Sequence, residues 1–234
     1  MKTWETKSGH KIIRVLSGRG NVFLLTHGAL NVLIDTSSGI NWPKLDGRLR
    51  SLKISHIDYL ILTHSHYDHA ENAARIKDKY GAKVIIHGAE GPYLINGNNP
   101  VPRGMTFFAR LVLKTIGKRF GLRKFNSCHP DILVDSTYSL RDRGVNAYIL
   151  HTPGHSPGSM SLIVDDEVAI VGDAMTGAFK QTVFPPFADD PRQLVESWGP
   201  LLETGCQVFL PSHGTANSRD LVQKDYDKRK DRSR

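Results

Sequence analysis

The sequence predicts an α/β fold made of two similar layered halves. Three observations predict it. Short β-branched or apolar runs alternate with helical stretches along most of the chain. LNVLIDTSSG at Leu30–Gly39 is echoed by EVAIVGDAMTG at Glu167–Gly177, each a strand, then Asp, then small polar residues. The length of 234 residues suits one large domain or two small halves that share a core.

The elements follow in order. Ile12–Leu16, Val22–Thr26 and Leu30–Asp35 read as strands separated by turn residues. A helix is predicted within Trp42–Lys53, with Pro43 in its first turn, where a missing N–H is tolerated. Tyr59–Thr63 is a buried-type strand that runs into His64-Ser65-His66-Tyr67-Asp68-His69. Ala70–Tyr80 reads as a helix closed by Gly81, and Lys83–His87 as a strand. Residues 91–130 break the alternation. Pro92, Gly97, Asn98, Asn99, Pro100 and Pro102 form an irregular lead-in to an amphipathic helix over Arg103–Phe120. The second half returns to strands at Ile132–Val134, Asn146–His151, Ser159–Val164 and Val168–Val171. A helix starts near Asp190-Pro191, with the acid as cap and Pro at the first position. Gln207–Leu210 is the last strand, ending at Pro211-Ser212-His213-Gly214, and a short helix spans Ser218–Tyr226.

Charge and composition exclude some classes. The net charge of +8 is uneven: residues 91–130 hold seven basic residues and no acid, and residues 224–234 are also basic. The rest of the chain is close to neutral. A chain that grips long nucleic acid would carry charge over a continuous face, so nucleic acid is disfavoured as a partner. No run of about 18 apolar residues suggests a membrane span. The N-terminus, MKTWETKSGH, lacks the apolar run of a signal peptide. The two distant cysteines, Cys128 and Cys206, read as buried thiols rather than a disulfide framework. Together these fit a reducing cytoplasm.

The chemistry is concentrated at strand ends. Of eleven histidines, five follow apolar strands and sit beside Gly, Ser, Thr, Pro or Asp: His64, His66, His69, His155 and His213. Strand ends present side chains to a rim. Imidazole and carboxylate together suit zinc, iron or manganese better than calcium or magnesium. His64 and His66 lie on the same side of an extended segment, so they can ligate one metal together. Asp68 and His69 follow on a tightening turn and can serve a second. His87 reads as a structural histidine, and His10, His27, His56, His129 and His151 as surface or turn residues. Ser65, Ser156 and Ser212 read as turn chemistry beside the ligands.

These motifs resemble the metallo-β-lactamase-fold hydrolase superfamily, and its dinuclear, glyoxalase-II-like branch in particular. The resemblance runs from Asp35-Thr36 through THSHYDH (Thr63–His69), TPGHSPGS (Thr152–Ser159) and VGDAMTG (Val171–Gly177) to PSHG (Pro211–Gly214). It implies a four-layer αββα sandwich forming one metallo-hydrolase domain over residues 1–234, with 91–130 inserted near the active-site rim. It implies two divalent ions, zinc by default, with iron or manganese as alternatives. His64, His66 and His155 resemble the ligands of the first; Asp68, His69 and His213 resemble those of the second. Asp173 resembles the carboxylate that bridges both, and Asp35 a residue that orients the first cluster. The implied chemistry is hydrolysis by a hydroxide shared between ions about 3.5–4 Å apart. Asp68 is the implied catalytic residue, hydrogen-bonded to that nucleophile.

Within the family, a carboxylic ester, thioester or lactone is the expected substrate class. Zinc β-lactamases typically carry another residue at the Asp173 position, and flavin-linked di-iron reductases a Glu at the His66 position. Lactonases usually place a Tyr soon after the bridging Asp, where this chain has Met175 and Thr176. Nucleases of this fold often add a clamp domain. A phosphodiesterase or nuclease is the second reading, and an iron-dependent oxidoreductase resembling sulfur dioxygenases the third. Glyoxalase II usually ends in a helical substrate-binding domain, whereas this chain ends about 20 residues after His213. The inserted segment is the candidate replacement. It would place Phe107, Phe108, Arg110 and Lys114 over the metal rim, to meet a small substrate with an acyl group and an anionic handle. A homodimer contact is the other use for its apolar residues.

Overall fold

The computed structural model describes residues 1–18, 20–100 and 124–230. They form two compact units, one drawn from residues 1–100 and 124–134 and the other from 135–230.

The first unit is built on a seven-stranded sheet. Its strands, in spatial as in chain order, are β1 (Thr3–Glu5), β2 (Lys11–Leu16), β3 (Val22–His27), β4 (Leu30–Ile34), β5 (Tyr59–Ile61), β6 (Lys83–His87) and β7 (Ile132–Val134). Pairing is antiparallel from β1 to β4 and parallel from β4 to β7. The helices are α1 (Trp42–Ser51), α2 (Tyr67–Ala70), α3 (Ala73–Tyr80) and α4 (Gly91–Asn96). Leu45 and Leu49 of α1 and Ile76 and Tyr80 of α3 join one core with Leu24, Leu33, Leu60 and Val84 of the sheet. Fully burying one such aliphatic side chain contributes about 1.5–3 kcal/mol. Phe23, Leu25, Val32, Ile34, Ile61 and Ile85, which alternate with them, are buried as well. That is why these strands read as continuous apolar runs rather than as alternation.

The second unit carries a six-stranded sheet in the order β13-β12-β11-β10-β9-β8. The strands are β8 (Tyr138–Ser139), β9 (Ala147–His151), β10 (Met160–Val164), β11 (Val168–Gly172), β12 (Val208–Pro211) and β13 (Asn217–Ser218). Its helices are α5 (Pro191–Glu196), α6 (Trp198–Glu203) and α7 (Arg219–Lys230). Leu194, Trp198, Leu201 and Val222 from these helices pack with Ile163, Ala169, Val171 and Phe209. Asp190 caps α5 as predicted: its side chain accepts from the backbone N–H groups of Arg192 and Gln193.

Several sequence expectations are corrected. The helix expected over Ala70–Tyr80 is α3, which begins three residues later, at Ala73, after the separate turn α2 and Asn72. The Asn72 amide donates to the carbonyls of Thr36, Ser37 and Ser38 at 3.0–3.1 Å, which holds its backbone out of the helix. Gly81 does close α3, with φ 71°. Ile132–Val134 opens no second half; it pairs in parallel with Ile85–His87 of β6. The lead-in expected to be irregular contains α4. Pro92 falls in the first turn, where proline is tolerated, and Gly97 ends the helix with φ 60°. Trp198–Glu203, Thr3–Glu5, Tyr138–Ser139 and Asn217–Ser218 are elements the sequence did not reveal. His10, expected at the surface, is buried and stacked on His27 with ring centroids 4.0 Å apart. The helix expected over Arg103–Phe120, with Phe107, Phe108, Arg110 and Lys114, lies outside the described residues.

Candidate metal centre

Strand direction positions the ligands. β4, β5 and β6 are parallel, so Asp35, the His64–His69 segment and Glu90 all leave the sheet at its carboxyl edge. In the second unit β9 and β11 are both antiparallel to β10, and β12 is parallel to β11. His155, Asp173 and His213 therefore leave that sheet at one edge too. Carboxyl edges are where open α/β sheets present binding groups.

Asp35 organises the first unit's set. It sits at φ 60°, a left-handed conformation that Asp tolerates better than most residues. Its Oδ1 accepts from the Thr63 backbone N–H at 2.8 Å. Its Oδ2 accepts from the Thr63 hydroxyl at 3.0 Å and is 2.9 Å from Nδ1 of His69. A carboxylate only accepts, so His69 Nδ1 carries a proton, which in the neutral ring leaves the lone pair on Nε2. The Thr63 hydroxyl has spent its one proton on Asp35. It must therefore accept from His64 Nδ1, 3.0 Å away, and His64 Nε2 also carries a lone pair. One buried carboxylate thus orders the ring protons of two candidate ligand histidines.

The donors of this unit lie close together. One ligand nitrogen each of His64 and His66 are within 4.8 Å, as are those of His64 and His69; His69 and an Asp68 oxygen are equally close. His64, His66 and His69 are buried, while the Asp68 side chain keeps 19% of its surface exposed. The backbone is held from several directions. The Thr36 hydroxyl donates to the His69 carbonyl at 2.7 Å. Glu90, 1% exposed, accepts from the Ser65 N–H at 3.1 Å and from the Ser65 hydroxyl. Asn99 Oδ1 accepts from the Tyr67 N–H at 2.8 Å.

Gly20 lies against the same segment. A Cβ built on it would stand 2.6 Å from the Asp68 carbonyl oxygen. Gly20→Ala is therefore expected to destabilise by about 1–3 kcal/mol and to displace Asp68. Denaturant unfolding measures the first effect and metal affinity the second. A fully stable variant with unchanged affinity would contradict this packing.

In the second unit, Asp173 Oδ2 lies 3.5 Å from His155 Nε2 and 3.3 Å from His213 Nε2. His155 Nδ1 is 3.0 Å from the Phe187 carbonyl oxygen, which can only accept. Nδ1 therefore carries a proton, which leaves Nε2 as the nitrogen turned to the carboxylate. The first unit repeats the arrangement: His69 Nε2 is 3.7 Å from Asp68 Oδ1. In each unit an imidazole nitrogen and a carboxylate oxygen stand side by side. Such a donor set fits a divalent cation held by imidazole and carboxylate.

Glu90, Asn99, Thr63 and Asn72 make hydrogen bonds around this segment that the sequence does not disclose. Only Glu90 left a signal: an acid just after a buried strand that neighbours the His64-bearing one. His87 is buried, its Nδ1 accepting from the Ala89 N–H at 3.1 Å. Cys128 and Cys206 take no part. Burial pushes both thiols up to about 11. The folded protein is expected to resist alkylation at pH 8 and to take up two equivalents of reagent once unfolded, counted by mass spectrometry. Rapid labelling of the native protein would contradict that burial.

The sequence model of the metallo-beta-lactamase superfamily matches residues 17–213. The chain belongs to this superfamily. Hydroxyacylglutathione hydrolase GloC of Haemophilus influenzae is 28% identical over 178 residues, 75% of this chain and 76% of that one. A probable metallo-hydrolase of Methanocaldococcus jannaschii is 30% identical over 168 residues, 70% and 72% of the two chains. An atrochrysone carboxyl ACP thioesterase of Aspergillus fumigatus is 25% identical across 96% of this chain and 63% of its own. Among solved structures, a B3 metallo-β-lactamase, BLEG-1, superposes with a TM-score of 0.69 at 20% identity, covering 92% of this chain and 96% of that one. An archaeal superfamily protein from Sulfolobus tokodaii gives 0.64 at 20% identity, covering 94% and 85%. The fold is thus the metallo-β-lactamase fold. The superfamily consists mostly of hydrolases. No helix of the described residues is long and apolar enough to cross a membrane.

Proposed function

We propose that this superfamily member is a dinuclear metal-dependent hydrolase of carboxylic thioesters, esters or lactones. The observation that carries the reading is the grouping of imidazole nitrogens on carboxylate oxygens: His155 and His213 on Asp173 at 3.5 and 3.3 Å, and His69 on Asp68 at 3.7 Å. His64, His66 and His155 are assigned to one ion, Asp68, His69 and His213 to the other, and Asp173 to both. The ions, most simply zinc, supply a Lewis acid and lower the pKa of a bound water. The protein does the rest. Asp35 fixes the tautomers of His64 and His69 through Thr63 and directly. Phe187 fixes that of His155. Asp68, partly exposed, accepts a hydrogen bond from the attacking water and can take its proton.

The carboxyl substrate class is supported by relatives that by name act on hydroxyacylglutathione and on an acyl carrier thioester. The test is turnover by zinc-loaded protein on an acyl thioester, a simple lactone and an aryl phosphodiester, with Asp68→Ala as control. Preference for the carboxyl substrates, lost in the variant, supports the reading. Preference for the phosphodiester overturns it.

A further inference from the structure

The segment after β6 touches the metal-binding segment twice, at different points. Glu90 reaches Ser65, the residue between His64 and His66. Asn99 reaches the N–H of Tyr67, the first residue of α2, which carries Asp68 and His69. Both contacts are built in. Glu90 is 1% exposed and Asn99 6%. The Glu90 backbone is locked into the turn by its N–H bond to the His87 carbonyl at 2.9 Å. Asn99 is held in place by its neighbours: the Phe125 N–H donates to the Gly97 carbonyl at 2.9 Å, and Asn98 bridges to Lys124. Gly97 is required there, since a Cβ would stand 2.1 Å from the Phe125 carbonyl oxygen.

The chemistry of each contact differs. Ser65 offers Glu90 both its N–H and its hydroxyl, and both go to the same oxygen, Oε2. That two-point grip fixes the Ser65 backbone and with it the spacing of the two flanking imidazoles. α2 has no side-chain cap of its own; His66, at the cap position, makes no such bond. Asn99 supplies it from 32 positions away, satisfying an N–H that a helix start leaves open. That contact fixes the start of the turn that aims Asp68 and His69.

We infer that Glu90 and Asn99 are separate positioning residues for the two metals: Glu90 for the ion held by His64 and His66, Asn99 for the ion held by Asp68 and His69. The inference rests on the proposed dinuclear reading.

The experiment is competitive chelator titration of zinc, with cobalt substitution to distinguish the sites by their absorption spectra. The proteins are wild type, Glu90→Ala, Glu90→Gln, Ser65→Ala and Asn99→Ala. Partners of metal ligands typically change affinity by about 10–100-fold, so Glu90→Ala is expected to weaken one site by that much and the other by less than about threefold. Glu90→Gln keeps an acceptor for Ser65 and is expected to stay within about threefold of wild type at both sites. Asn99→Ala is expected to weaken the other site instead. Should Glu90→Ala fail to fold, as read by circular dichroism of the metal-free protein, Ser65→Ala answers the same question. Wild-type affinities in Glu90→Ala or Ser65→Ala overturn the inference, as does equal loss at both sites in every variant. Wild-type protein that binds no zinc overturns the dinuclear reading itself.

Discussion

Asp35→Asn is expected to fold and to bind divalent metal about 10–100-fold more weakly than wild type. The amide replaces one acceptor oxygen with a donor NH2. Three donors now converge on Asp35: the Thr63 N–H, the Thr63 hydroxyl and His69 Nδ1. If the amide oxygen keeps the Thr63 N–H, the NH2 faces the hydroxyl and His69. The hydroxyl must then accept from the amide and turn its proton towards His64 Nδ1, 3.0 Å away. Nδ1 becomes the acceptor and the proton moves to Nε2, the ligand atom. His69 undergoes the same reversal directly. One isosteric change therefore protonates the nitrogen proposed to face the metal in two histidines without removing either. The cost in stability is smaller than for Asp35→Ala, which leaves buried donors without an acceptor at about 1–3 kcal/mol each. Chelator titration reads the affinity, and nitrogen-15 shifts of the histidine rings read the tautomers. Affinity within about threefold of wild type, with unchanged ring shifts, would sink this account.

What the sequence discloses, and what it does not, divides along locality. His64, His66, Asp68 and His69 are legible because their spacing is local and follows a strand. Asp190-Pro191 is legible for the same reason: a cap and its helix are neighbours. Asp35 enters through family resemblance, but the Thr63 relay from it to His64 needs the parallel pairing of β4 with β5. Glu90 and Asn99 meet partners 25 and 32 positions away, contacts that no periodicity encodes. The break between α2 and α3 is likewise non-local. Residues 73–80 are rich in helix formers, and the side chain of Asn72 sets where α3 starts by bonding carbonyls 34–36 positions back. Ile132–Val134 was read into the wrong half because a three-residue strand has no pattern of its own. Its sheet is decided by pairing with β6.

Removing metal from the loaded protein is expected to lower its melting temperature by about 8–16 °C. The estimate follows from linkage. A ligand present at about 1,000 times its dissociation constant stabilises the folded state by about 4.1 kcal/mol. In a chain of this length, each kcal/mol moves the midpoint by about 2–4 °C. The structural reason is the proposed ligand grouping: Asp173 Oδ2 stands 3.3 and 3.5 Å from two imidazole nitrogens, and a bound cation would tie the three side chains together. Asp173→Asn separates the metal's contribution from that of the fold. In chelator the variant is expected to melt within about 2 °C of wild type, since an amide fills the same space and the core of its unit is untouched. With zinc it is expected to lose most of the gain, because a neutral amide oxygen is a weaker ligand than a carboxylate. Scanning calorimetry at one protein concentration, with zinc and with chelator, reads all four states. A wild-type midpoint indifferent to chelator removes the metal from the account. A variant that keeps the full gain removes Asp173 from the ligand set and leaves the other six side chains to hold the ions.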